Sequence, residues 1–112
     1  MKEVLAELNR IKGVMGSLIA ANDGMIIASD LAVQTPDEVL GAMAASVGAT
    51  AAKALERMQQ GAFVQAMMDA ANGKIFLTEA GIGYLVVVTD KDVNVGLVRV
   101  EMRTAADRLR RR

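Results

Sequence analysis

The sequence predicts an α/β fold of the α+β sandwich type, in which a five-stranded antiparallel sheet carries one long helix on one face and two helices on the other. The predicted elements follow the order α-β-β-α-β-β-β-α. Short apolar segments are joined by turn signals such as Asn72-Gly73, which are typical of antiparallel hairpins. The strands that begin at Val14 and Tyr84 lack polar alternation, so helices are expected to cover both faces of the sheet.

The N-terminal part of the chain is predicted to be a short helix followed by a hairpin. Residues 2–11 form the helix, because apolar side chains recur at spacings of three and four residues before Gly13 ends the pattern. Residues 14–21 and 25–29 form two strands around Asn22-Asp23-Gly24, whose residue types tolerate the positive φ of a tight turn. This part of the chain therefore predicts a hairpin and contains no residue pattern typical of a catalytic site.

A long helix follows a connecting loop. Thr35 or Asp37 is expected to cap it, with Pro36 at its entry. It runs over residues 37–58, a length of about 33 Å at 1.5 Å per residue. Residues 59–61, Gln-Gln-Gly, are expected to end it.

Three strands and a third helix complete the prediction. Residues 62–70 and 74–79 form a hairpin, and a turn at residues 81–83 leads into a strand over residues 84–89. The final helix follows Asn94. Its apolar stripe consists of Val95, Val98, Met102, Ala105 and Leu109.

The composition excludes several classes of function. The chain of 112 residues is expected to form a single domain, and its 13 basic and 13 acidic residues give no net charge that would favour nucleic acid or an acidic membrane. It contains no Cys and no His, so thiol chemistry, disulfides and the commonest general base and metal ligand are missing. Gly73-Lys74 and Gly81-x-Gly83 do not complete nucleotide-binding motifs and are interpreted as turns. We therefore expect no catalytic residue, no metal site and no cofactor.

No segment reaches the roughly 18 uncharged apolar residues that would span a bilayer. The longest candidate, residues 39–52, is bracketed by Glu38 and Lys53. The N-terminus leads directly into an amphipathic helix, so no signal peptide is expected. The sequence therefore predicts a cytoplasmic protein without integral membrane association.

Two clusters of charge have ordinary structural explanations. Asp30, Asp37 and Glu38 gather near the start of the long helix, where they stabilise the helix dipole, and they lack the spacing of a calcium-binding loop. Basic residues near the C-terminus stabilise a helix end, and the alternative is contact with an acidic partner, nucleic acid or anionic lipid. These residues are Arg99, Arg103, Arg108, Arg110, Arg111 and Arg112.

The long helix presents three sets of side chains when its residues are placed about 100° apart. The sheet-facing set is Leu40, Met43, Val47, Ala51, Ala54 and Met58. The small-residue set is Gly41, Ala45, Gly48 and Ala52. The solvent-side set is Glu38, Ala42, Ala49, Lys53 and Glu56.

The two glycines of the small-residue set require an explanation. Glycine in a helix interior costs about 1 kcal/mol relative to alanine. Close approach by the same helix of a twofold-related subunit would explain Gly41 and Gly48, and this interpretation is favoured. The alternatives are close packing within the monomer or a surface that is simply rich in small residues.

Three stretches occur in an order that is more specific than any one of them. They are Gly13-Val14 through Ile26-Ile27-Ala28-Ser29-Asp30, then Gly81-Ile82-Gly83-Tyr84-Leu85-Val86-Val87, and finally Val95-Gly96-Leu97-Val98-Arg99. With these stretches, an Ala-rich helix and an Asn-Gly hairpin, the chain resembles the Roadblock/dynein light chain family in a minimal, MglB-like form. The resemblance covers nearly the whole chain and implies that residues 1–112 form a single Roadblock-like domain.

The resemblance also implies a dimer. In members of the family the middle strand of each subunit, here about residues 63–69, pairs edge to edge with its counterpart, and the long helices lie side by side. The implied dimer interface therefore comprises the small-residue set together with Phe63, Gln65 and Met67.

The family further implies a platform for other proteins. Its dimers bind small Ras-like GTPases, regulate GTPases in the manner of bacterial MglB, or act as adaptor subunits in motor and lysosomal scaffolds. The GTPase commonly meets the paired long helices, which implicates the solvent-side set and Arg57. Arg57 is also the candidate for an arginine finger, although a solvated helix arginine is the usual explanation for such a residue.

The sequence thus predicts a non-enzymatic homodimeric adaptor that binds a Ras-like small GTPase and modulates its GTP hydrolysis or nucleotide state. The alternative is a structural light-chain-type subunit that tethers a larger assembly without a GTPase. The expected partners are a second copy of the chain and the GTPase. Nucleic acid is not expected, because aromatic side chains for base stacking are missing.

Overall fold

The computed structural model describes residues 1–111 of the chain. Its helices are α1 (Lys2–Asn9), α2 (Asp37–Arg57) and α3 (Val95–Arg110). Its strands are β1 (Val14–Ala20), β2 (Ile26–Leu31), β3 (Gln65–Ala70), β4 (Gly73–Glu79) and β5 (Tyr84–Asp90). The predicted order α-β-β-α-β-β-β-α is confirmed. No helix in this part of the chain is long and apolar enough to cross a membrane.

The five strands form one antiparallel sheet in the order β2-β1-β5-β4-β3. β5 lies at the centre, while β2 and β3 form the two edges. The register aligns Leu18, Val86, Leu77 and Ala66 in one row across four strands. Because side chains in one row point to the same face, this row forms an apolar floor beneath α2.

Two hydrophobic cores lie on opposite faces of the sheet. On one face, α1 and α3 cover the sheet, and side chains such as Phe76 and Met102 are fully buried. On the other face, α2 packs through Leu40 and its neighbours. Leu85 points into the first core and Val86 into the second, which explains the consecutive apolar residues of β5. The prediction of one long helix opposite two others is confirmed.

β3 begins at Gln65, three residues later than the sequence predicts. The backbone between α2 and β3 enters the left-handed region twice, with φ of +58° at Gln59 and +95° at Gly61. Phe63 then packs into the core beneath α2. The apolar residues before Gln65 therefore belong to a loop that closes this core, not to the strand.

The start of α2 differs from the prediction. Pro36 occupies the cap position, and no side chain forms a capping hydrogen bond there. The Asp37 carboxylate instead accepts a hydrogen bond from the Ser29 hydroxyl of β2. The prediction that Thr35 or Asp37 caps the helix was therefore wrong, because Thr35 precedes the cap position and Asp37 is the first helical residue, with its carboxylate engaged by β2.

Candidate functional site

The two glycines of α2 face their own chain. A Cβ atom at Gly48 would lie 2.3 Å from Cζ of the Tyr84 ring, and one at Gly41 would lie 2.5 Å from the Gly24 carbonyl oxygen. Both distances are far below an ordinary carbon contact, so any larger residue would displace its neighbours. Close packing within the monomer explains both glycines. The assignment of Gly41 and Gly48 to a surface open to a second subunit is corrected.

The inner face of α2 is rotated relative to the prediction. The first four members of the sheet-facing set are buried or contact the core as expected. Ala54 and Met58 are exposed, Met58 by 67%, so their predicted contact with the sheet was wrong. Of the small-residue set, only Ala45 and Ala52 remain partly accessible. Ala52 also contacts the core, so it lies at the border between the sheet and the surface.

The residues predicted to contact a partner lie on the outer face of α2. All five members of the solvent-side set, and Arg57, are exposed. Two alanines, Ala42 and Ala49, are exposed on this face and add little side-chain bulk to it. Lys53 and Arg57 contribute positive charge towards the C-terminal end, where they line a shallow depression. The helix thus offers a small-residue strip with charges at both ends, because Glu38 stands near its start.

The predicted dimer strand is an edge of the sheet. β3 pairs with β4, and within residues 1–111 no strand pairs with its outer side. Met67 is 38% exposed on this strand. Gln65 is held within the chain, because its Nε2 donates to Thr78 Oγ1 at 2.9 Å and its Oε1 accepts from Arg99 Nε at 3.0 Å. Met67 is thus a large apolar side chain exposed at this edge, whereas the exposed Asp69 pairs with Lys74 at 2.7 Å.

Phe63 does not lie at the edge. Its side chain is 8% exposed and packs edge to face against Tyr84, with ring centroids 6.3 Å apart. Its ring therefore packs mainly within its own chain, and its place at a dimer interface stays a prediction. The sequence placed Phe63 within the strand because an apolar residue next to a strand resembles a strand residue.

The opposite edge, β2, is already engaged by α1. Lys2 Nζ donates to the Ser29 carbonyl at 3.2 Å, and Asn9 Nδ2 donates to the Asp30 carbonyl at 2.8 Å. Side chains that occupy the polar groups of an edge strand hinder pairing with another strand. The two edges therefore differ in their readiness to pair.

An apolar groove lies beside β3 on the face that α2 covers. The groove encloses about 620 Å³, and four apolar side chains are prominent in its lining: Met15, Met68, Ile75 and Val88. The register places Met68, Ile75 and Val88 in one row across β3, β4 and β5. The sequence analysis missed this groove, although the row follows from the pairing of these strands once the register is known.

Arginines near the C-terminus are partly engaged by their own chain. Arg108 Nη1 donates to Glu7 Oε2 at 2.6 Å, and Arg110 pairs with Asp107 at 2.9 Å. Arg108 thus ties α3 to α1. Arg112 lies outside the described residues. Within residues 1–111, no group of three or more carboxylates is placed to hold a metal ion.

Comparisons with known proteins agree with this architecture. The family model of the Roadblock/LC7 domain matches residues 1–89. The uncharacterized protein MJ0310 of Methanocaldococcus jannaschii is 39% identical over 107 residues, which cover 96% of this chain and 94% of that protein. The solved Roadblock/LC7 domain from Streptomyces avermitilis has a TM-score of 0.91 at 17% identity and covers 99% of this chain and 95% of that one. Myxococcus xanthus MglB has a TM-score of 0.88 at 21% identity, covering 99% and 94%.

Proposed function

Because the chain belongs to the Roadblock/LC7 family, we propose that it is a non-enzymatic homodimeric adaptor that binds a Ras-like small GTPase. In this proposal residues 1–112 act as a single cytoplasmic domain. The main support for the proposal is the exposed face of α2. Close contacts of Gly41 and Gly48 fix the position of this helix, and its exposed face consists of small and charged residues. The similarity to the fold of MglB, together with the GTPase-regulating role that the family resemblance implies, supports it.

The α2 surface suits a protein partner for a physical reason. The contacts of Gly41 and Gly48 hold the helix close to the sheet and the hairpin turn, so its outer face has a fixed orientation. Ala42 and Ala49 would let a partner approach the helix closely, while Lys53 and Arg57 would select for acidic groups. Differential affinity for the two nucleotide states of the GTPase would then shift its switch.

The proposed dimer uses the β3 edge. Strand pairing at this edge would satisfy backbone groups that have no strand partner within residues 1–111. A second copy would also cover apolar surface in the adjacent groove, at Met68 and Ile75. The hydrogen bond from Lys2 to the outward-facing Ser29 carbonyl of β2 favours β3 as the edge that pairs.

Affinity capture from a lysate of the source organism tests the GTPase assignment. The full chain is immobilised, and capture is run with a GTP analogue and with GDP before partners are identified by mass spectrometry. A small GTPase enriched only with the GTP analogue is the expected result. Recovery of the same large partner in both nucleotide states would instead favour a structural tether.

A pair of variants tests the surface with the purified GTPase. Ala49→Glu places a negative charge in the centre of the proposed contact and is expected to weaken binding by about tenfold, because the carboxylate would offset the charge of Lys53 and repel the acidic groups that Lys53 and Arg57 would select. The matched control is Thr104→Glu, an exposed position on α3 across the sheet. Equal binding by both variants would contradict the proposed surface.

A further inference from the structure

A second groove, at the C-terminal end of α2, has a lining suited to a cation. It encloses about 460 Å³ between the end of α2, the loop before β3 and the turn between β4 and β5. Two carboxylates, Glu56 and Glu79, line it together with the rings of Phe63 and Tyr84 and three small residues. No lysine or arginine lines this groove in the part of the chain that the structure describes.

Tyr84 contributes an unpaired hydroxyl to this groove. Its side chain is only 8% exposed, and no group within residues 1–111 forms a hydrogen bond with its hydroxyl. Over the same residues, no fully buried polar side-chain atom lacks a partner, so this hydroxyl keeps some exposed surface, and Tyr84 is one of the residues that line the groove. Tyrosine hydroxyls that are largely buried usually find a partner. The groove therefore holds a hydrogen-bonding group that a ligand could satisfy.

The position of the Tyr84 ring is fixed from two sides. A Cβ atom at position 48 would lie 2.6 Å from the Tyr84 hydroxyl oxygen, so glycine at this position leaves the room that the phenol occupies. Phe63 packs against the same ring at an interplanar angle of 66°. Aromatic rings attract cations to their faces, and their apolar surface suits the aliphatic part of a lysine or arginine side chain.

The two carboxylates differ in how much charge they leave uncompensated. Glu79 Oε1 accepts from the Gly81 amide at 2.6 Å, and its Oε2 pairs with Arg110 at 3.3 Å. Glu56 is exposed, and its carboxylate forms no ion pair with any described residue. Glu79 is thus held in place, and Arg110 balances much of its negative charge. Glu56 supplies a negative charge that no ion pair among the described residues balances.

We propose that this groove binds a lysine or arginine side chain of a protein partner. The cationic group lies between the Glu56 carboxylate and the Tyr84 hydroxyl, and its aliphatic part lies along Phe63. This inference rests on the adaptor role but does not require the partner to be a GTPase. It can therefore fail or succeed independently of the nucleotide-dependent capture described above.

The test is a nuclear magnetic resonance titration of the ¹⁵N-labelled full chain with short peptides. The probes are N-acetylated, C-amidated pentapeptides with lysine, arginine or norleucine between flanking glycines. The lysine and arginine peptides are expected to shift the backbone amides of Gly61, Ala62 and Tyr84 at the groove. The norleucine peptide, which keeps the aliphatic stem without the charge, is expected to leave them unchanged.

Three variants identify the groups that recognise the cation. Glu56→Gln is expected to weaken peptide binding by about fivefold, because it removes the unpaired charge. Tyr84→Phe is expected to weaken it as well, since it keeps the ring and removes the hydroxyl. Glu38→Gln, at the opposite end of the same helix, is the matched control and is expected to bind the peptides like the original chain.

Several outcomes would overturn the proposal. They are the absence of shifts at the groove, equal shifts with norleucine, and equal binding by Glu56→Gln and Glu38→Gln. A fall in the sedimentation mass of the chain on adding the lysine peptide would show that a second copy fills the groove, which also contradicts a partner's cationic side chain. Shifts that depend on charge and on Glu56 would support it, whether or not a GTPase is captured.

Discussion

Gly48 of α2 lies directly against the ring of Tyr84 of β5, and no side chain fits between them. A Cβ atom at position 48 would stand 2.3 Å from Cζ and 2.5 Å from Cε1 of the ring. Tyr84 is in turn packed against Phe63 and is largely buried, so it has little freedom to move aside. This contact sets the distance between α2 and the centre of the sheet.

Gly48→Ala is therefore expected to destabilise the chain despite the helix propensity of alanine. Overpacking costs about 1–3 kcal/mol, which outweighs the gain of about 1 kcal/mol from replacing a helical glycine. Urea unfolding followed by circular dichroism measures the difference. The control is Gly96→Ala in α3, where the nearest atom to the new Cβ is Asn94 Oδ1 at an ordinary 3.6 Å. Gly96→Ala should be neutral or stabilising, and a loss of stability equal to that of Gly48→Ala would contradict the steric explanation.

Met67→Lys is expected to dissociate the proposed dimer. A lysine on an edge strand opposes pairing with another strand, and two copies would bring like charges together. Sedimentation equilibrium is expected to show one copy per particle for this variant and two for the original chain. Ile27→Lys on β2 is the matched control, because Ile27 is 39% exposed and Met67 is 38% exposed. Dissociation by Ile27→Lys alone would transfer the interface to the opposite edge.

The sequence predicted the elements well because their signals are local. Alternating and consecutive apolar residues marked the five strands, and the Asn-Gly turn at position 72 fixed one hairpin. The orientation of α2 was predicted only in part, because the pattern of large side chains placed Met58 inward. In the folded chain, α2 approaches the sheet through Gly48. Glycine has no side chain, so it does not contribute to the apolar pattern from which the inner face of a helix is predicted.

The grooves could not be predicted for a different reason. Each groove is lined by residues that are distant in the sequence. The folded chain brings them together through helix packing on the sheet or through the order of the strands. Glu56 and Tyr84 lie at the same groove because the end of α2 passes over the start of β5. Met15 and Met68 likewise line one groove from β1 and β3, which are separated by β5 and β4 in the sheet. Such sites depend on tertiary packing, which single-sequence patterns do not specify.

Asn94→Ala is expected to weaken the start of α3 by about 1 kcal/mol, because the Asn94 side chain caps this helix. Its Oδ1 accepts a hydrogen bond from the Leu97 amide at 3.0 Å. Thermal unfolding measures the loss. Asn22→Ala, at an exposed turn position, is the control and is expected to stay within about 0.5 kcal/mol of the original chain. Equal effects of the two substitutions would show that the cap contributes nothing specific.

Gln59→Gly is expected to stabilise the chain, whereas Gln60→Gly is expected to destabilise it. Gln59 has φ of +58°, and the left-handed region costs a residue with a Cβ atom about 1–2 kcal/mol. Glycine avoids this cost, although it also loses more backbone entropy on folding, so the net gain is about 0.5 kcal/mol. Gln60 has an ordinary φ and donates through Nε2 to the Met58 carbonyl at 3.2 Å, so glycine there brings only losses. Urea unfolding measures the change in the free energy of unfolding for each variant relative to the original chain. Changes of opposite sign are expected if the left-handed conformation limits stability at this turn. Changes of the same sign would contradict this explanation.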